Sequence, residues 1–331
     1  NTNMFGVVLG AAGEFVIDWG DGKIQYINKS DTGWSEYTHD YSVSGQYTVK
    51  MTGSATAYST YLSAISFVPR ENVYSMSGSL ASIFGTLPNG TQPLFSGAFQ
   101  GCSELIEIPD NLFYGLTGKP AEWMFESTFS GCSSLTDLPP RLFDHFNGAS
   151  PARSMFSGTF SGCTSLTQIP GDLFAGIYGP TAQELFRSTF SGCSGLTTVP
   201  GELFSMLRGA PSTLMFYETF GNCTSLTQIP ENLFSSMSNK PATGLFQQTF
   251  SGCTSLTQIP AGLFANFSST EQNMFNGTFQ GCTSLTEIPV TLFKNISGNA
   301  ADNSFESTFW GAKNIDKIIS VGGSYTNWVP A

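Results

Sequence analysis

The sequence predicts an α/β solenoid of about nine stacked rungs, each a strand plus two short helices in roughly 30 residues, capped by a small N-terminal β module. Three observations predict it. Cysteines fall at 102, 132, 163, 193, 223, 253 and 282, at intervals of 30, 31, 30, 30, 30 and 29 residues. The residues around each cysteine repeat with it. The first sixty residues hold no cysteine and alternate apolar with polar side chains instead.

The N-terminal stretch reads as strands at Glu14-Phe15-Val16-Ile17-Asp18 and Gln46-Tyr47-Thr48-Val49-Lys50. Trp19-Gly20-Asp21-Gly22 between them is a hairpin turn of the Asp-Gly kind. Next comes a degenerate copy of the unit. Ile65 to Pro69 fits the strand slot, with Ile65 in the Leu position and Val68 in the Ile position. From Pro69 to Pro109 is 40 residues, so this copy carries an insertion around Gly85 to Pro93.

Seven full copies follow. Phe lies three and seven residues before each cysteine, as Phe250 and Phe246 precede Cys253. Leu lies three after, an aliphatic residue six after, Pro seven after, and Leu-Phe at ten and eleven. The segment Leu226 to Ile229 reads as a strand stopped by Pro230, which cannot donate to a ladder. Pro230 suits the first turn of a helix, with Leu233, Phe234 and Met237 on one face. Pro241 restarts a second helix bearing Leu245, Phe246, Thr249 and Phe250, and Gly252 is placed to end it. Leu and Ile, three apart, have opposite strand parity, so one of them sits at a bend. At the far end Phe305, Phe309, Gly311, Ile315 and Ile318 keep the frame, while Ala312 and Ile319 replace Cys and Pro. The division is thus a β module over 1–58 and an array over 59–331, with degenerate cap copies near 59–98 and 303–325.

The motif F-x-G-C-T-S-L-T-x-I-P, as in Phe160 to Pro170 and Phe250 to Pro260, resembles the BspA-type leucine-rich-repeat surface proteins of bacteria. The likeness covers residues from about 60 to 325; common members have shorter units, and the extra length here lies between the two helix slots. Trp19-Gly20-Asp21-Gly22, His39-Asp40-Tyr41 and Gly45 to Val49 resemble a PKD-type β-sandwich module, shortened, with its last strand merging into the first repeat. Both resemblances imply a bacterial protein at the cell surface or secreted.

Composition narrows the function. Of 331 residues 13 are basic and 24 acidic, for a net charge of −11, which argues against the clustered basic face that nucleic acid needs. No apolar run is long enough to insert in a membrane. The start Asn1-Thr2-Asn3-Met4 shows no signal segment, which reads either as a cytosolic protein or as a mature or trimmed form. Cys102, Cys132, Cys163, Cys193, Cys223, Cys253 and Cys282 occupy one slot in seven copies, so they read as buried structural thiols rather than disulfides, nucleophiles or metal ligands. The two histidines, His39 and His145, lack partners at catalytic spacing. Asp18, Asp21 and Asp40 could gather round calcium, but turn hydrogen bonding is the simpler reading. No cofactor and no metal are expected.

Binding surface is expected where copies differ. The residue before the strand Ile varies: Glu107, Asp137, Gln168, Thr198, Gln228, Gln258, Glu287 and Lys317. A solvent-facing strand would make these a polar row, acidic at one end. The connection between helix slots also varies and offers Trp123, Tyr178 and Arg208. The expected function is non-enzymatic: adhesion by a monomer to an extracellular protein or matrix partner through the solenoid surface. The alternatives are a glycan-binding protein of a bacterial polysaccharide system, with Trp34, Trp123 or Trp310 stacking on sugars, and a passive spacer.

Overall fold

The computed structural model describes residues 3–146 and 149–312. The N-terminal module is two three-stranded antiparallel sheets. One has the order β4-β1-β6, from Ser35–Asp40, Met4–Leu9 and Ile65–Val68. The other has the order β3-β2-β5, from Ile24–Lys29, Ala11–Asp18 and Lys50–Tyr58. Strand β2 is buried at every second residue from Gly13 to Ile17, as a half-covered strand should be. Asp18 pairs with Ile24, and the loop between closes with the Trp19 N–H on the Lys23 carbonyl at 2.9 Å. Gly20 and Gly22 take φ of 82° and 88° there, which glycine adopts without strain. The strand expected over Gln46–Lys50 is not formed before Lys50, where β5 begins.

The α/β solenoid expected from the repeat is overturned. No α-helix occurs among the described residues, only three 3-10 turns at Arg70–Asn72, Leu80–Ser82 and Asp144–Phe146. No strand forms among the described residues of the full copies either. What stacks is a chain of tight turns. In the Cys132 unit the N–H groups of Glu126, Thr128, Ser130 and Cys132 each donate to the carbonyl three residues back, at 3.0 to 3.2 Å. The intervening N–H groups of Trp123, Phe125, Ser127, Phe129 and Gly131 donate instead to Arg153, Met155, Ser157, Thr159 and Ser161 of the next unit, at 2.7 to 3.1 Å. Every second donor is therefore used across units, where an α-helix would keep it within the segment.

The physical reason lies in the length and residues of the slot. About eight residues of Phe, Thr, Ser and Gly are too short and too poor in helix formers to nucleate alone. Every fourth residue is left-handed, with φ of 58° at Trp123, 52° at Ser127 and 74° at Gly131, and the same three positions recur in the following units. A right-handed helix cannot pass through such residues. Gly252, read as ending a helix, is left-handed at 74° as the last of its three.

The Leu-to-Ile segment fails as a strand for a different reason. Leu226 and Ile229 are both buried, while Thr227 and Gln228 between them are both exposed. Two successive exposed residues break the period of two, so the parity conflict is resolved by bowing the segment outward. Its links to neighbours are few and long: Thr197 to Thr167, Thr227 to Thr197 and Thr257 to Thr227, at 3.2 to 3.5 Å between N–H and carbonyl.

Packing holds the stack. Phe67, 99, 129, 160, 190, 220, 250, 279 and 309 form one file of rings 5.2 to 5.7 Å apart. Two further files, headed by Phe95 and Phe113, interlock by tilted contacts such as Phe143 on Phe156 at 4.7 Å. Offset and tilted rings suit the aromatic quadrupole. Phe67 heads the first file, on Phe99 at 5.2 Å, and the Ile106 N–H donates to the Tyr74 carbonyl. The degenerate first copy is therefore registered differently from the expectation: Ile65–Val68 is β6, paired to β1, and Val73 is the buried counterpart of Leu105.

Candidate binding surfaces

The row read from the variable position is exposed at Glu107, Asp137, Gln168, Thr198, Gln228, Gln258 and Glu287. Lys317 lies outside the described residues. Beside it runs a second exposed row, Thr136, Thr167, Thr197, Thr227, Thr257 and Thr286, with Ile106 at its head. Stacking brings these residues into register, one pair per unit. The Thr197 and Thr227 hydroxyls reach the preceding threonine's carbonyl only at 3.4 Å, so most of their hydrogen-bonding capacity stays available.

The seven cysteines lie on the inside, each fully buried, and none is in a disulfide. The thiol of Cys132 donates to the Phe99 carbonyl at 3.2 Å, and that of Cys193 to Phe160 at 3.1 Å. Burial pushes the Cys193 and Cys282 thiols up to about 12 and holds the Cys163, Cys223 and Cys253 thiols well above the ordinary value. Such thiols are poor nucleophiles and poor metal ligands. A threonine file, which sequence reasoning treated only as part of a helix face, does the same work: the hydroxyls of Thr128, Thr159, Thr189, Thr219 and Thr249 donate to a Phe carbonyl one unit back at 2.8 to 2.9 Å. Its signal was visible as Thr four residues before six of the seven cysteines, with Ala98 before Cys102.

The module's polar residues are engaged in turns and packing. Asp18 accepts the Gly20 N–H and Asp21 accepts the Lys23 N–H, both at 3.0 Å. His39 stacks on Trp19 at 5.4 Å and its Nε2 meets Asp21 Oδ2 at 2.8 Å, which holds the Asp21 carboxyl below its usual range. His145 packs edge-on to Tyr114 at 4.9 Å and sits 3.2 Å from Asp144. Among the described residues no group of three His, Cys, Asp or Glu side chains is placed to hold a metal ion.

The aromatic candidates are not brought together. Trp34 is 60% exposed in the module and Trp310 is 55% exposed in the last described unit. Trp123 is half-buried beneath the Arg153 guanidinium, 6.0 Å from its ring. Around it the scarce charges gather: Arg153 and Arg187 approach Glu184 at 3.5 and 3.9 Å, and Arg187 lies 4.9 Å over Tyr217. Tyr178 and Arg208 are exposed on the connections. A feature the sequence did not announce is a cleft of about 970 Å³ between the module and the first copy. Phe5, Tyr47, Met51, Met76 and Leu80 are among its walls, and Glu107 lies at its margin with the polar row. No helix among the described residues is long and apolar enough to cross a membrane.

Comparison with protein-family models, with curated proteins and with solved structures finds no match to this chain.

Proposed function

We propose that this chain is a non-enzymatic binding protein, at the cell surface or secreted, that engages an extracellular protein or matrix partner along its stacked units. It acts as a monomer and without a cofactor. The observation that carries this reading is the pair of exposed rows, held in register across seven copies with few hydrogen bonds of their own. Side chains that do no internal work, repeated at fixed intervals on a packed scaffold, make a multivalent surface. The resemblance of the repeat motif to BspA-type surface proteins supports the same assignment and the bacterial setting. The test is an array of matrix and surface proteins probed with the full chain, beside a variant carrying Gln168→Arg, Gln228→Arg and Gln258→Arg. Micromolar binding lost in the variant supports the reading. No binding to any arrayed protein overturns it. Binding instead to a glycan array favours stacking on Trp34 or Trp310, the two most exposed tryptophans among the described residues.

A further inference from the structure

The cleft at the junction of module and array disagrees with its own sequence. Gln46-Tyr47-Thr48-Val49 has the alternation and β-branched content of a strand, yet it has no ladder partner, and β5 starts only after it. β5 is also an edge strand. Strand β2 covers one side of it, and on the other only the Ala55 N–H makes a backbone bond among the described residues, to the Ile83 carbonyl at 3.0 Å. Across the cleft, residues 73–77 run without regular secondary structure. Among the described residues no backbone N–H of 43–49 or of 75–79 donates to a backbone carbonyl. Two such stretches facing a space of about 970 Å³ leave a row of backbone donors to water.

We propose that this cleft is a docking site for an extended peptide segment of a partner protein, added as a strand along the edge formed by Gln46–Val49 and β5. Backbone pairing gives the affinity in this mode, and pockets for alternate side chains give the selectivity. Phe5, Val49, Met51, Met76 and Leu80 line the cleft, so the peptide carries apolar residues at every second position. Charge sets the rest. Among the described residues Glu107 is the one charged side chain in the lining, and the chain carries a net charge of −11. The bound segment is therefore neutral or basic. The inference deepens the protein-binding reading above by placing one contact and naming its chemistry.

The test is selection of linear peptides from a phage-displayed library on the full chain, then titration of the best synthetic peptide. Selected peptides should alternate apolar residues and lack Asp and Glu. N-methylation of alternate peptide amides in one register should weaken binding roughly tenfold or more, because ladder bonds are lost, and in the other register should leave it unchanged. Glu107→Lys should weaken basic peptides, and Gln228→Arg should have no effect. An empty selection, or binding indifferent to N-methylation in both registers, overturns the proposal. Peptide binding abolished by Gln228→Arg also overturns it while leaving the row surface standing. A failed matrix screen beside an N-methyl-sensitive peptide does the reverse.

Discussion

The two long sides of each repeat are built from the same backbone and held in opposite ways. On the turn side every N–H from Phe125 to Cys132 has a partner, alternately within the turn and in the next unit, and Thr and Cys side chains add further cross-unit bonds. On the Leu-to-Pro side the neighbours meet through single backbone bonds of 3.2 to 3.5 Å. Yet both sides keep register over seven copies. The difference teaches that hydrogen bonds order one side directly, while the other is ordered by the buried Leu and Ile that anchor it. The side with spare bonding capacity is the one free to bind something else.

Alkali should break the turn side with the largest effect. Burial raises the folded thiol pKa values above the ordinary value of 9.0, to about 12 for Cys193 and Cys282. A group raised in this way contributes stability that is complete below 9.0 and is lost as pH climbs toward 12. Each such thiol costs on the order of 1 kcal/mol per pH unit in that window, and several act together. Denaturant midpoints should fall steeply above pH 9.0. Iodoacetamide should label the thiols only after unfolding. Rapid labelling of the native chain at neutral pH would contradict this burial.

The core that both sides share comes next. Phe174 touches Phe143, Phe156, Phe186 and Phe204. Phe174→Ala should cost about 3–5 kcal/mol by urea unfolding. Hydrogen exchange should show protection lost in the Cys163 and Cys193 units first, since each unit rests on its neighbours.

Thr189→Val against Thr197→Val measures the contrast itself. Thr189 is buried and donates to the Phe156 carbonyl at 2.8 Å, whereas Thr197 is exposed with a 3.4 Å contact. The first substitution should cost about 1 kcal/mol and the second close to nothing. Equal effects would erase the distinction between the sides.

Backbone strain gives a gain. Ser127 holds φ of 52° at a position that is glycine in three other copies, Gly97, Gly158 and Gly277. Ser127→Gly should stabilise by up to about 1 kcal/mol, and Gly158→Ala should lose a similar amount, read as shifts of the denaturant midpoint. The smallest effect is expected at Glu126, whose carboxyl is raised by burial. Raised acids favour the folded state only when protonated, so Glu126→Gln should stabilise slightly at neutral pH and lose that advantage on acidification.

Much of this was legible in the residues. The interval between cysteines, the Phe, Leu and Ile slots and the polar row at Glu107 to Glu287 could all be read from recurrence. Helices were read from Leu245, Phe246, Thr249 and Phe250 because burial at i, i+1, i+4 and i+5 is what a helix shows. A chain of four-residue turns produces the same spacing. The clue that separates them is Gly at positions four apart in some copies, as at Gly158 and Gly162 or Gly277 and Gly281, where the backbone is left-handed; other copies place Trp123, Glu184, Leu214 or Gln248 at such positions, so the clue is partial. The strand reading of Leu226 to Ile229 failed on the parity of its own anchors. The cleft was not legible at all, since its walls come from Gln46–Val49 and from residues 72–83 and meet only on folding.

Sequence alone determined which side chains recur, and with them the interior files of Phe, Thr and Cys, because identical residues in identical slots can share one continuous core. Tertiary structure decided the partner of each backbone N–H. A segment of eight residues cannot choose between its own carbonyls and a neighbour's until the neighbour is there, and only stacking supplies the second option.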